Sequence, residues 1–281
     1  MAEENKMNTD IVFGQYCEGK SLLHRLDPRA KIIISILFIV DIFIAKSVWA
    51  FALLLVFTAA CVILSGIKFK VIMRGLKPII FIMIFTAVIN IFWYSGDTLL
   101  FEFWKIHVYL EGIINAVLIV LRVVLLLMGT SVILTYTTTP LSLTDGLEQL
   151  LAPLAKIKVP VHEFSLMMTI ALRFIPTLIE ETQKIMNAQK ARGADFSTGS
   201  LISRAKALVP ILVPLFTSAF RRADELAVAM ECRCYRGGEG RTRMNILKAG
   251  VSDFVCVLAF VALGAAVILI NKYLGGFRIG Y

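Results

Sequence analysis

Near-continuous apolar runs occupy residues 32–45, 48–66, 78–94, 112–134 and 251–271. A helix needs about 20 apolar residues to cross a bilayer, so the pattern predicts five membrane spans. Read as one helix, residues 32–66 would extend about 52 Å at 1.5 Å per residue. That far exceeds a hydrocarbon core of about 30 Å, which places a tight hairpin at Lys46 and Ser47. Between the fourth and fifth runs the period changes. From Phe164 the apolar positions Met167, Met168, Ala171, Leu172, Ile175, Leu178, Ile179, Ile185 and Met186 recur every three or four residues, the mark of a long amphipathic helix that Gly193 should stop. A second series, Leu201, Ala205, Leu208, Leu212, Leu215, Ala219, Ala223, Ala227 and Met230, predicts another, ended by Gly237 and Gly238. The small residues Ala219, Ala223 and Ala227 let two backbones cross closely. Pro176, Pro210 and Pro214 fall inside these helices and favour kinks. A shorter helix over residues 140–151 precedes both.

Charge supplies the topology. Lys20, Arg25, Arg29 and Lys31 precede the first span, and Lys68, Lys70, Arg74 and Lys77 follow the second, so both segments are expected on the cytoplasmic side. Residues 95–111 carry Asp97, Glu102 and Glu111 against Lys105, as an external loop should. Residues 137–250 lack a full span and, by parity, form a cytoplasmic block. The N-terminus is then inside and the C-terminus outside. Amphipathic helices with cationic flanks suit the membrane face. The first 31 residues have no apolar core, so no cleaved signal peptide is expected.

Composition agrees with the spans. The 281 residues are 58% hydrophobic and 17% charged, with a net charge of +9 and a mean hydropathy of +0.80. Soluble chains carry about 25% charge, which excludes a water-soluble monomer; the basic balance reports membrane orientation rather than a nucleic-acid partner. Five scattered cysteines, Cys17, Cys61, Cys232, Cys234 and Cys256, give neither a disulfide framework nor a zinc pattern. His24, His107 and His162 fall in separate segments, so no metal site, catalytic constellation or cofactor is expected.

Two motifs invite chemistry. Gly14, Gly19, Lys20 and Ser21 match the P-loop pattern G-x-x-x-x-G-K-S. A phosphate-binding loop needs a buried strand before it and a helix after it, whereas Pro28 interrupts any helix here, and the match reads as accidental. Asp41, in the outer half of the first span, and Arg122, near the middle of the fourth, stand at similar depth. An unpaired charge there costs about 2.5–3.5 kcal/mol, so the two are expected to form an intramembrane pair. The competing use of that pair is as the coupling site of a self-sufficient secondary transporter, but the spans show no inverted repeat.

Arg192, flanked by Ala191 and Gly193, and Arg233, flanked by Cys232 and Cys234, each lie near the C-terminal end of one of the two long helices. A cation at a helix C-terminus meets a favourable dipole. Two such tips on helices that cross suggest a matched pair of docking points, since small neighbours let a helix end enter a groove and guanidinium grips carboxylate with two hydrogen bonds.

The runs from Ala188 to Phe196 and from Ala229 to Thr242 resemble the two arginine motifs of the T-components of energy-coupling factor transporters, and the segments Ser21–Lys31, Thr139–Leu151 and Arg173–Glu181 are also similar to that family, in its shared type. Where the family's second motif reads Ala-Arg-Gly, this chain has Cys232 and Cys234 around Arg233. The resemblance implies an all-α polytopic membrane protein with about five transmembrane helices and a cytoplasmic coupling domain of three amphipathic helices, two of them long and crossed. Residues 1–136 would hold the N-terminal segment and spans one to four, 137–250 the coupling domain, and 251–281 the fifth span. It further implies a non-enzymatic scaffold in the cell membrane that couples two cytosolic ABC-type ATPases to a substrate-binding membrane subunit, the S-component, for vitamin or micronutrient uptake. Arg192 and Arg233, with their neighbours, would be the ATPase contacts.

Overall fold

The computed structural model describes residues 16–17, 19, 21–93, 99–103, 106–194, 196, 200–237, 247 and 249–273. The chain divides into two units, residues 1–149 with 247–281, and residues 150–246. The expected cytoplasmic block, residues 137–250, covers the second unit together with a helix of the first.

In the first unit a one-turn helix α1 (Leu22–Arg25) leads into α2 (Pro28–Ile44). Asp27 caps α2 by accepting the Arg29 N–H, and Pro28 sits at the first position, where no donor is needed. Helices α3 (Val48–Ser65), α4 (Phe69–Leu76), α5 (Ile80–Trp93), α6 (Leu110–Thr130) and α7 (Pro140–Leu151) follow. The second unit holds α8 (Val161–Ala191) and α9 (Leu201–Cys232), and α10 (Val251–Tyr273) returns to the first. Among the described residues four helical stretches, Val48–Ser65, Phe69–Phe92, Leu110–Thr135 and Val251–Tyr273, are long and apolar enough to cross a membrane. With 17 residues, α2 reaches the lower end of the spanning range of about 17–25. Four of the five expected runs therefore coincide with these stretches, the third starting earlier, at Phe69, and the first, residues 32–45, falls in α2, which is not among the four.

The turn between α2 and α3 falls at Lys46 and Ser47. It is closed by Asn271 of α10, whose Oδ1 accepts the N–H of Lys46 and of Ser47 at 3.2 Å each and whose Nδ2 donates to the Ile44 carbonyl at 2.8 Å. Chain ends that a turn leaves unsatisfied are thus met by a side chain. At the other end of α2, Asp253 accepts the Asp27 N–H at 2.9 Å and the Gly250 N–H at 2.6 Å. Arg29 donates to Asp27 and, at 2.9 Å, to the Leu247 carbonyl, while the buried Lys31 donates to the Thr137 carbonyl at 2.8 Å. The charged segment His24–Lys31 is therefore a structural knot joining the starts of α2 and α10 to the end of α6.

Between these ends the core is an apolar cluster with the polar side chains of Asp41, Thr58, Asn115 and Arg122 buried among the same helices. Phe38 and Phe57 meet Phe260 of α10 edge to face, with centroids 6.1 and 4.9 Å apart. Phe38 also occupies the space a side chain at Gly129 would need, so α6 approaches α2 as closely as glycine permits. Past Thr130 the helix widens into a π-turn, Ser131–Thr135, closed by the Tyr136 N–H on the Ser131 carbonyl at 2.8 Å.

One departure from an all-helical chain lies in the loop expected outside the membrane. There β1 (Leu99–Phe103) and β2 (Ile106–Tyr109) pair antiparallel, Glu102 opposite His107.

Candidate functional site

The two long helices of the second unit end in the same way. In α8 the N–H of Arg192 turns back on Ala188 and Gln189, that of Gly193 bonds to Lys190 at 3.0 Å, and that of Ala194 to Gln189 at 3.0 Å. In α9 the N–H of Arg233 turns back on Ala229 and Met230, that of Cys234 bonds to Glu231 at 2.8 Å, and that of Tyr235 to Met230 at 3.0 Å. Both are Schellman caps. Each places its arginine at the C-cap and gives the next residue a left-handed backbone, φ +88° at Gly193 and +56° at Cys234. Gly193 adopts this conformation freely; Cys234 does so against its Cβ. Position 234 is thus where the departure from Ala-Arg-Gly has a physical cost.

With every cap N–H engaged, the arginine side chains are left to point outward. Ala191, Arg192, Gly193, Cys232, Arg233 and Cys234 are all exposed. Among the described residues neither guanidinium is held in an ion pair.

The helices meet at a polar crossing. Glu181 of α8 accepts Ser218 Oγ and, at 2.9 Å, Arg222 of α9. Further along, Gln189 reaches the Pro210 carbonyl, so the helices run in opposite senses past one another. Arg192 lies eleven positions beyond Glu181, and Arg233 eleven beyond Arg222. The contact extends along α8 to Gln189, three residues before Arg192, whereas Arg233 lies eleven residues past the last contact on α9, about 16 Å at 1.5 Å per residue, so the two tips stand at opposite ends of the contact. Pro176, Pro210 and Pro214 lie within continuous helix.

Sequence reasoning placed the crossing at Ala219, Ala223 and Ala227. In the structure Ala219 is half-buried and Ala223 and Ala227 are exposed, while the inward stripe runs one position earlier, through Ile211, Ser218 and Arg222. The helix α9 also stops at Cys232 rather than at Gly237; Gly238 lies outside the described residues. Large apolar side chains remain uncovered on both helices of this unit, among them Phe164 and Met167 of α8 and Val213, Phe216 and Phe220 of α9.

Within the first unit, Asp41 and Arg122 are both buried. Arg122 Nη2 donates to the Ala45 carbonyl at 2.9 Å and its guanidinium stands 5.4 Å from the Phe51 ring centroid. Asp41 packs on Gly264, where a Cβ would overlap its Oδ1, and its Oδ2 has no hydrogen-bond partner. Ala45, one turn along α2, bonds to both residues: its carbonyl accepts from Arg122, and its N–H donates to the Asp41 carbonyl at 3.1 Å.

Of the P-loop match, Gly14 and Lys20 lie outside the described residues. Ser21 Oγ lies 2.6 Å from His24 Nδ1, and the helix after it has four residues. No group of three metal-ligating side chains occurs among the described residues.

The comparisons with known proteins agree with this architecture. The cobalt transport protein family CbiQ matches residues 19–244. A protein of Clostridium kluyveri named energy-coupling factor transporter transmembrane protein EcfT is 54% identical over 270 residues, 96% of this chain and 100% of the relative. Proteins of the same name from Bacillus subtilis and Lactococcus lactis subsp. cremoris are 49% and 47% identical, covering 92% and 94% of this chain and 97% and 98% of their own.

Proposed function

The chain belongs to the CbiQ family as a transmembrane component of an energy-coupling factor transporter, and we propose that within such a transporter it is the scaffold that couples two cytosolic ABC-type ATPases to a substrate-binding membrane subunit. In this reading Arg192 and Arg233 each enter an acidic groove on one ATPase, where a guanidinium and a carboxylate make two charge-assisted hydrogen bonds. Closure of the ATPase pair then draws the tips together. Because α8 and α9 are joined at Glu181–Arg222 and at Gln189–Pro210, the displacement is passed through these contacts to the rest of both helices. The uncovered apolar side chains of these helices, Phe216 and Phe220 among them, meet the membrane subunit, which carries a vitamin or similar micronutrient. ATP hydrolysis belongs to the partner chains. The residues 1–31 and 137–250 face the cytoplasm and the C-terminus faces outward, as the excess of Lys and Arg requires.

What supports the reading most is repetition. A cation at one helix end is accounted for by the helix dipole, worth about 0.3–1 kcal/mol. Two helices of 31 and 32 residues, with the same cap and the same exposed arginine at it, are accounted for by two like partners. Affinity capture of the tagged chain from its native membrane tests this. Recovery of two ABC-type ATPases with a second membrane subunit is expected; a partner-free chain that transports by itself would refute it.

A further inference from the structure

Helix α4 sorts its residues by face. Phe69, Met73 and Leu76 line an apolar cavity of about 370 Å³ that α3, α5 and α6 complete, within the size range of small-molecule sites, about 300–1,000 Å³. Thr58 is the one lining residue with a polar side chain, and its hydroxyl donates to the Leu54 carbonyl at 2.7 Å, inside its own helix. The cavity therefore offers water no partner. Its walls include Met73, Met83 and Met128, flexible side chains that adapt to an occupant. Leu55 and Phe69 are 45% and 61% exposed, so the cavity reaches the surface of the spanning helices.

Beside it stand Lys68, Lys70, Arg74 and Lys77, all exposed and, among the described residues, none held in an ion pair. They span ten positions of chain, about 15 Å at the helical rise. An occupant must be apolar where it enters the cavity and anionic where it meets these cations, and an amphipathic cationic helix at the end of a membrane span is where such a molecule lies. We infer that this site binds one anionic phospholipid, with an acyl chain between α3, α4, α5 and α6 and its phosphate on the four cations. The lipid would fix α4 and α5 against α6 from within the membrane, independently of any ATPase.

Native mass spectrometry of the full chain, released from detergent with dioleoyl phosphatidylglycerol or dioleoyl phosphatidylcholine, tests the assignment. One retained phosphatidylglycerol is expected, preferred about tenfold or more. Changing Lys68, Lys70, Arg74 and Lys77 together to Gln should remove the preference, and Ala59→Phe, which fills the cavity from an exposed wall position, should release the lipid. Equal retention of the two lipids by the unmodified chain, the result if a partner's helix fills the cavity, would overturn the inference. So would full phosphatidylglycerol retention in either variant.

Discussion

Replacing Cys234 by glycine should strengthen the tip of α9, even though it removes a side chain. At φ +56° the Cβ of Cys234 is crowded against its own backbone, a conformation that costs a non-glycine residue about 1–2 kcal/mol. Glycine removes that cost but gives the unfolded chain more freedom, which offsets about 0.4–1 kcal/mol. The balance favours Cys234→Gly by roughly 0.5–1 kcal/mol, or about two- to fivefold in the local opening equilibrium. The amide to watch is that of Tyr235, which closes the cap on Met230 at 3.0 Å. Its hydrogen exchange in the detergent-solubilised chain should slow by that factor. Gly193→Ala supplies the opposite control: an added Cβ there meets nothing within 4 Å, so the effect is backbone strain less the lost freedom of the unfolded chain. Exchange at Ala194 should then quicken by about two- to fivefold. Unchanged or faster exchange at Tyr235 in Cys234→Gly, or no acceleration at Ala194 in Gly193→Ala, would refute the reasoning that both tips share one cap.

Three further outcomes follow from the contacts. Glu181→Gln and Arg222→Gln should show a coupling of about 0.5–1 kcal/mol in a double-mutant cycle of thermal unfolding, small because both side chains are partly solvated; strict additivity would remove the crossing contact. Arg122→Gln should reduce folded yield more than Asp41→Asn, because it takes a donor from the Ala45 carbonyl, a hydrogen bond to a charged group worth about 1.5–3 kcal/mol, and the reverse order would contradict the geometry. Asn271→Leu should lower the melting temperature by leaving three groups of the α2–α3 turn without their side-chain partner, about 1–3 kcal/mol, and an unchanged melting temperature would show that water serves the turn equally well.

The spans were legible because length is the criterion: a run of apolar residues either matches the hydrocarbon core or does not, and the divided stretch 32–66 required a turn where Lys46 and Ser47 provide one. The bounds of α7 followed from Pro140. Position around a helix axis was harder. Along α9 apolar residues occupy almost every face, with Val213, Phe216 and Phe220 exposed, so periodicity did not distinguish the alanine stripe from the adjacent Ser218–Arg222 stripe. For Asp41 and Arg122 the shared depth and burial were readable, whereas the Ala45 carbonyl as a partner of the guanidinium was not, because it depends on rotation about the helix axis. The early end of α9 was hidden because cysteine rarely adopts a left-handed backbone. Alternating apolar and polar positions in Leu99–Tyr109 were the available signal for the hairpin, masked by its short length. The arginine tips were legible to within a few residues: Gly193 marks the end of α8, while Arg233 could be placed only near the end of α9.

The docking role of those tips is the central claim, and reversing both charges tests it most directly. Arg192→Glu with Arg233→Glu leaves both backbone caps intact, because the cap hydrogen bonds use only main-chain groups, while turning each attraction for a carboxylate into repulsion. With helical content and membrane yield unchanged, the doubly reversed chain should recover no ATPase on affinity capture and support no uptake. Recovery of both ATPases at the level of the unmodified chain, with normal uptake, would contradict the account.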